Sequence, residues 1–219
     1  QQLDKKDLSL EMEKVNFPNQ PMRCLVGFKN ISTVYYRIIP ITETIESSLI
    51  DRWNNKYWSF LKDQKYLKEF KQILPQTSDL RNHTAEIKID GLAPGRYVLL
   101  ASGDQSFSIN KNPLSAEYFY VSQIAYINRG DDYFVLNRES GKPLQQADVA
   151  IWTQTYDYTQ RKYQVVKRAS LKTDLDGYFK MPVIGKNNEP VRLDINIKGD
   201  RLFLENTEYR TYSENKTET

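Results

Sequence analysis

Hydrophobic and polar residues alternate in short runs over the first forty positions, which is typical of β-strands. Such runs cover residues 8–17, 21–27 and 33–39, and turn residues separate them at 18–20 and 29–30. Three strands within about 35 residues is the spacing of hairpins or of a sandwich. The first part of the chain is therefore predicted to be a β domain.

A helical pattern then interrupts these strands. Apolar residues recur four apart and then continue up to the helix breaker Pro75: Ile45, Leu49, Trp53, Tyr57 and Leu61, followed by Tyr66, Leu67, Phe70, Ile73 and Leu74. We expect an α-helical insertion over about residues 43–74. Its aromatic residues would suit a partner protein or a membrane surface. We favour a helix whose apolar face caps an open edge or end of the sandwich.

The β pattern resumes after the insertion. Strands are expected at residues 85–89, 98–101 and 105–109, with a tight turn at Pro94-Gly95. The run 118–127 is long enough to end one domain and to start the next. We place the boundary near Gln123.

A second β unit is predicted beyond this boundary. Its expected strands are residues 133–137, 147–152, 163–172, 178–181, 191–197 and 202–204, and residues 153–158 are expected to form a loop. The sequence thus predicts an all-β protein with two tandem immunoglobulin-like β-sandwich domains, the first carrying the helical insertion. The predicted limits are 1–123 and 124–205, followed by a polar tail over 206–219.

Composition and charge narrow the possible partners. The 219 residues suffice for two domains of about 100 residues each. The 31 basic and 28 acidic residues give a net charge of +3 without a dense Lys/Arg stripe, so no nucleic-acid partner is expected. The sequence contains no transmembrane run and no signal-peptide core.

The residues that most often carry chemistry are scarce. Cys24 is the single cysteine and lies in an apolar run, which predicts a buried and inert thiol. The single histidine, His83, lies far from it in a polar segment, so neither a Cys-His pair nor a structural zinc site is expected. We predict no catalytic, cofactor-binding or metal-binding residues and no cofactor.

One motif nevertheless resembles the start of a calcium loop. Asp174-Leu175-Asp176-Gly177 has alternating carboxylates before a glycine, but the residues that follow, Tyr178 to Pro182, offer no further oxygen ligands. We favour a hairpin turn in which Asp174 and Asp176 bind backbone amides and Gly177 has a positive φ. Calcium binding by Asp174 and Asp176 remains the alternative.

Four segments together resemble the amino-terminal macroglobulin-type domains of bacterial alpha-2-macroglobulin-like proteins. They are GLAPGRYVLLAS, EYFYVSQIAYI, DYFVLNRESGKPLQQADVAIW and TDLDGYFKMP. In that family a Pro-Gly turn and a Tyr-containing strand close one domain, and a Thr-Gly-Lys-Pro-Leu turn, here Ser140-Gly141-Lys142-Pro143-Leu144, opens the next. The resemblance covers most of residues 8–204 and implies that both sandwiches are macroglobulin domains.

The resemblance implies a part of a long, multidomain protease trap, in which cleavage of a bait segment triggers entrapment or covalent tagging of the protease. This chain would be a non-catalytic scaffold within a protease inhibitor of the cell envelope, periplasm or extracellular space, its leader having been removed. Its partners would be other domains of the parent chain and, through the parent, target proteases. Cys24 is followed by Leu25-Val26-Gly27 and so does not match the family's Cys-Gly-Glu-Gln thioester.

A surface adhesin or glycan-binding module is the main alternative. Trp152, Tyr156, Tyr158 and Tyr163 would then form an aromatic platform. Exposure of these rings in an open groove would favour glycan binding, whereas burial would favour a scaffold. An enzyme with an atypical site is a third, less supported class.

Overall fold

The structure is a computed structural model that describes residues 5–42, 55–75, 79, 81–110, 112–159, 161–184 and 191–204. The chain separates into two compact units, Gln1–Val121 and Ser122–Thr219. The predicted limits of two macroglobulin-like domains stay a prediction. Among the described residues, none of the helices combines the length and apolarity needed to cross a bilayer.

The first unit contains two sheets. Its strands are β1 (Asp7–Met12), β2 (Val15–Asn16), β3 (Met22–Lys29), β4 (Thr33–Pro40), β5 (Lys68–Ile73), β6 (His83–Ile89), β7 (Gly95–Ser102) and β8 (Leu114–Val121). One sheet has the order β1-β3-β6 and the other has the order β2-β8-β7-β4-β5. All pairs are antiparallel except the short β2–β8 pair.

The core of this unit lies between the two sheets. Alternate residues of β3 are buried, including Cys24 and Val26, and they cluster with Tyr36 of β4 and Leu99 of β7. The period of two along β3 and β4 puts one face of each of these strands in the core, as the sequence pattern predicts. The unit is therefore a β-sandwich.

A short helix, α1 (Asn55–Lys62), covers the outer face of the five-stranded sheet. Its buried Tyr57 and Leu61 pack with Val98 and Leu100, so β7 is buried on both faces. The hydroxyl of Tyr57 lies 2.8 Å from that of Tyr118. The helix thus packs its apolar side on the sandwich, but on a sheet face rather than on the expected edge or end.

The prediction of a helix over residues 43–74 is wrong in its second half. Residues 43–54 lie outside the described residues, and Lys68–Ile73 form β5 rather than helix. This strand pairs antiparallel with β4, and the ring of Phe70 stacks on Tyr36 at 4.9 Å. The apolar spacing of this segment fits a helix, but hydrogen bonding to β4 and side-chain packing on the sheet favour a strand.

Three other expectations need correction. Residues 105–109 form no strand, because the Asp104 carboxylate accepts hydrogen bonds from Ser106 and Ser108, and Phe107 has a φ of 52°. The run 118–127 breaks after β8, where the Ser122 hydroxyl binds the amide of Ile124 at 3.0 Å. Residues 153–157 continue a strand rather than forming a loop.

The second unit also contains two sheets. Its strands are β9 (Ile124–Arg129), β10 (Asp132–Asn137), β11 (Asp148–Asp157), β12 (Lys162–Lys172), β13 (Tyr178–Lys180), β14 (Val191–Ile197) and β15 (Asp200–Phe203). Their orders are β13-β10-β9 and β12-β11-β14-β15. Buried residues alternate along β10 and β11, and Tyr133 stacks on Phe179 at 5.1 Å. The chain is thus an all-β protein of two β-sandwich units with one short helix.

Candidate functional site

Cys24 and His83 do not form a catalytic pair. Cys24 is completely buried in β3, as predicted, and burial raises the pKa of its thiol to about 11. His83 is paired with Phe28, four residues further along β3, which places it about 13 Å along the sheet from Cys24. The thiol therefore stays protonated at neutral pH, and His83 is too far away to act as its base.

His83 binds a carboxylate instead. Its Nε2 lies 2.8 Å from Oδ1 of Asp79, which also accepts the amide of Arg81 at 3.2 Å. The hydrogen bond from His83 is the main reason that the pKa of Asp79 is lowered. His83 also packs on Phe28, with ring centroids 5.8 Å apart. The pair fastens the start of β6 to the segment before it.

The calcium-like motif folds as a turn. Oδ1 of Asp174 accepts the amides of Asp176 and Tyr178, both at 2.9 Å, and Gly177 has a φ of 70°. The turn interpretation of Asp174 and Gly177 is confirmed. Asp176 contributes its amide, whereas the amide-binding carboxylate comes from Asp174. The described residues contain no group of three or more His, Cys, Asp or Glu side chains placed to hold a metal ion.

Two turn motifs that are distant in sequence meet at Val135 of β10. The carbonyl oxygen of Val135 accepts the amide of Leu144 at 2.9 Å, and its amide donates to the carbonyl of Gly177 at 2.8 Å. A β-carbon at residue 177 would overlap the Val135 carbonyl oxygen and would lie 3.3 Å from the Cα of Pro143. We call Val135, Pro143, Leu144, Thr173 and Gly177 the turn junction.

The buried side chain of Thr173 stabilises the turn junction. It is 1% exposed. Its hydroxyl donates to the carbonyl of Leu144 at 2.6 Å and accepts the amide of Ala147 at 2.9 Å. Because one buried hydroxyl satisfies two backbone groups of the facing loop, the geometry of the junction is closely fixed. The residues that carry the family resemblance thus have a structural role in this unit.

Arg37 organises the first unit and was not recognised from the sequence. Its Nε donates to Oε2 of Glu69 at 2.7 Å, and its Nη1 donates to the carbonyl of Lys62 at 3.2 Å. The guanidinium also lies 4.1 Å from the ring centroid of Phe107 and 4.8 Å from that of Tyr66. Arg37 therefore contacts the end of α1, strand β5 and the loop after β7, and it holds these three segments close together. Only the tertiary fold brings these segments together, so no local sequence signal reveals this role.

The aromatic residues of the alternative glycan site differ in exposure and in ring orientation. Trp152 and Tyr156 lie on the same face of β11, but the Trp152 ring contacts Phe203 at 6.3 Å. Tyr158 is 85% exposed and meets Tyr156 edge-on, with 82° between the rings. Tyr156 and Tyr158 are thus exposed but stand edge-on rather than side by side, while Trp152 is only half-exposed. The side chain of Tyr163 lies outside the described part.

A small groove lies at the surface of the first unit. It has a volume of about 230 Å³ and is lined by Glu13, Asn16, Phe17, Gln20, Pro21, Met22 and Arg23. Ligand pockets usually have volumes of roughly 300 Å³ or more. The amide of Asn16 already donates to the carbonyl of Glu13 at 2.9 Å. The groove is therefore smaller than a usual substrate pocket, and one of its polar side chains is already engaged by the backbone.

No protein-family model matches the sequence, and no curated protein matches it either. Solved structures do match. A fragment of native alpha-2-macroglobulin from Escherichia coli spanning domains MG0-NIE-MG1 is 15% identical and has a TM-score of 0.59, over 91% of this chain and 64% of that chain. A shorter fragment spanning NIE-MG1 is 13% identical and has a TM-score of 0.55, over 92% of this chain and 97% of that chain.

At these identities the likeness shows the fold. The chain spans about two thirds of the length of the first fragment, with 64% covered, and nearly all of the second, with 97% covered. At the level of the fold, these matches confirm the resemblance that the turn motifs suggested. The chain has the fold of macroglobulin domains of bacterial alpha-2-macroglobulin.

Proposed function

We propose that this chain is a non-catalytic scaffold fragment of a large alpha-2-macroglobulin-like protease inhibitor of the cell envelope. The observation that carries the proposal is the fold likeness to two fragments of Escherichia coli alpha-2-macroglobulin, over 91% and 92% of the chain. A shared fold alone does not determine function. The placement of the described side chains adds independent support.

The described side chains support a structural role. The thiol of Cys24 is buried, His83 is engaged by Asp79, and the Asp174 carboxylate binds backbone amides. Each of these groups thus stabilises the fold. Under the proposal, residues 1–123 and 124–205 are successive macroglobulin-like domains and residues 206–219 are a polar tail.

The partners and location follow from the same proposal. The chain contacts other domains of its parent and meets target proteases only as part of that parent. The parent resides in the periplasm, at the cell envelope or outside the cell. Neither a cofactor nor a nucleic acid takes part.

The nucleotide sequence of the parent gene tests this proposal. We expect the codons after that of Thr219 to encode a succession of further sandwich domains, with or without a thioester tetrad. A stop codon directly after this codon would overturn the proposal, because a trap needs many domains to enclose a protease.

A further inference from the structure

Strand β12 forms an edge of the four-stranded sheet in the second unit. Among the described residues only β11 is hydrogen-bonded to it. An edge strand carries a row of backbone N–H and C=O groups that point away from its sheet. Extended segments of other proteins can pair with such a row.

The register with β11 divides β12 into two parts. Ile151 is opposite Ala169 and Trp152 is opposite Lys167, so Arg168 is an extra, bulged residue. Residues 162–167 before the bulge pair without interruption with residues 152–157. This regular part is about 20 Å long, which is enough to pair with a six-residue segment.

The charges of β12 all have one sign. The strand contains Lys162, Lys167, Arg168 and Lys172 and has no acidic residue. Lys172 forms an ion pair with Asp148 at 2.6 Å, whereas Lys167 is exposed in the regular part of the edge. Basic residues on an edge discourage pairing between two copies, because like charges on adjacent strands repel. The same charges favour a strand that carries carboxylates.

An exposed apolar residue, Val165, lies beside the basic residue Lys167. Val165 is 46% exposed and lies two residues from Lys167, so both side chains are on the same face of β12. On the neighbouring strand Gln154 is opposite Val165 and Trp152 is opposite Lys167. This face therefore presents a cationic and an apolar position at the spacing of alternate strand residues.

We propose that residues 162–167 of β12 accept an extended acidic segment of another protein as an added strand. The segment places a carboxylate beside Lys167 and, two residues away, an apolar side chain beside Val165. Its backbone continues the ladder of the sheet. This inference goes beyond the scaffold role and does not depend on protease trapping.

A fluorescein-labelled peptide, Thr-Glu-Thr-Val-Thr-Glu-Thr-Val, tests the proposal by fluorescence anisotropy with the 219-residue chain. We expect saturable binding that weakens about tenfold when lysine replaces each glutamate. Methylation of every peptide nitrogen keeps the side-chain charges but removes the N–H donors on both edges of the peptide, so it prevents backbone pairing with β12. It should weaken binding by a similar factor. Equal affinity for the methylated peptide would contradict strand addition.

Paired variants locate the site. Lys167→Glu should weaken peptide binding about fivefold, whereas Lys142→Glu, an equal charge change at an exposed turn, should leave it within about twofold. Circular dichroism and the urea midpoint check that both variants fold. Hydrogen exchange should show that the β12 amides pointing away from β11 become protected only when the peptide is present. Equal losses in the two variants, protection elsewhere, or outward-pointing β12 amides already protected in the free chain would overturn the proposal, as would no binding.

Discussion

The amide of Val135 donates to the carbonyl of Gly177 at 2.8 Å, and the carbonyl oxygen of Val135 occupies the space that a β-carbon at residue 177 would need. Residue 177 also has a φ of 70°, a conformation that favours glycine. This contact joins the two turns of the turn junction. Glycine is therefore required at residue 177 for both its space and its backbone angle.

Gly177→Ala should strongly destabilise the second unit. We expect a loss of about 3 kcal/mol of unfolding free energy, because left-handed strain adds to the overlap with Val135. Gly141 provides a matched control: its φ is 67° and a β-carbon there would meet nothing within 4 Å. Gly141→Ala should cost about 1 kcal/mol, from strain alone. Equal urea-unfolding losses for the two variants would contradict the proposed packing.

Tyr36→Phe should maintain or raise stability. The Tyr36 side chain is fully buried, its hydroxyl has no hydrogen-bond partner among the residues that the structure describes, and burial raises the pKa of this phenol well above its usual range. Removing an unsatisfied buried hydroxyl should add up to about 1 kcal/mol to the unfolding free energy, while the ring keeps its stacking on Phe70. The measurement is urea unfolding. A loss of more than about 1 kcal/mol would mean that the hydroxyl has a partner after all.

Arg37→Lys should cost about 2 kcal/mol of unfolding free energy, because lysine cannot bind Glu69 and cover two rings with one planar group. The matched control is Arg23→Lys. Arg23 pairs with Glu86 at 3.2 Å in an exposed setting, with side chains 78% and 56% exposed. That control should change stability by less than about 0.5 kcal/mol. Similar effects in both variants would refute a special role for Arg37.

Asp104 should make the first unit sensitive to acid. Burial acts to raise the pKa of its carboxyl, but hydrogen bonds from Ser108 and Ser106 together lower it below the usual value. A carboxyl whose pKa is lowered on folding stabilises the protein above its unfolded pKa, about 4, and this stabilisation is lost as pH falls through the folded pKa. Asp104→Asn should therefore reduce the loss of urea stability between about pH 6 and pH 2.5. An unchanged pH dependence would show that these bonds do not favour the carboxylate.

The sandwich strands were the most predictable part of the fold. Val191–Ile197 has the alternation expected of a strand with one buried face, and the structure places Val191, Leu193 and Ile195 in the core. Burial of one face imposes a period of two on the sequence itself. The turn at Asp174 was also predictable, because its hydrogen bonds connect residues close in sequence.

Features set by distant contacts were not predictable. Residues 68–73 have the apolar spacing of a helix but form β5, because strand β4 offers a partner edge and Tyr36 offers Phe70 a stacking surface. The turn junction and the contacts of Arg37 likewise join segments that are far apart in sequence. Pattern analysis of a single segment does not contain these interactions.

The most direct test of the scaffold proposal uses the whole parent protein with an endopeptidase such as trypsin. A trap encloses the protease without blocking its active site, so cleavage of a large protein substrate should fall while cleavage of a small chromogenic peptide continues. The 219-residue chain alone should inhibit neither reaction. Equal loss of both activities with the parent, no loss of either, or inhibition by the isolated chain would contradict the account.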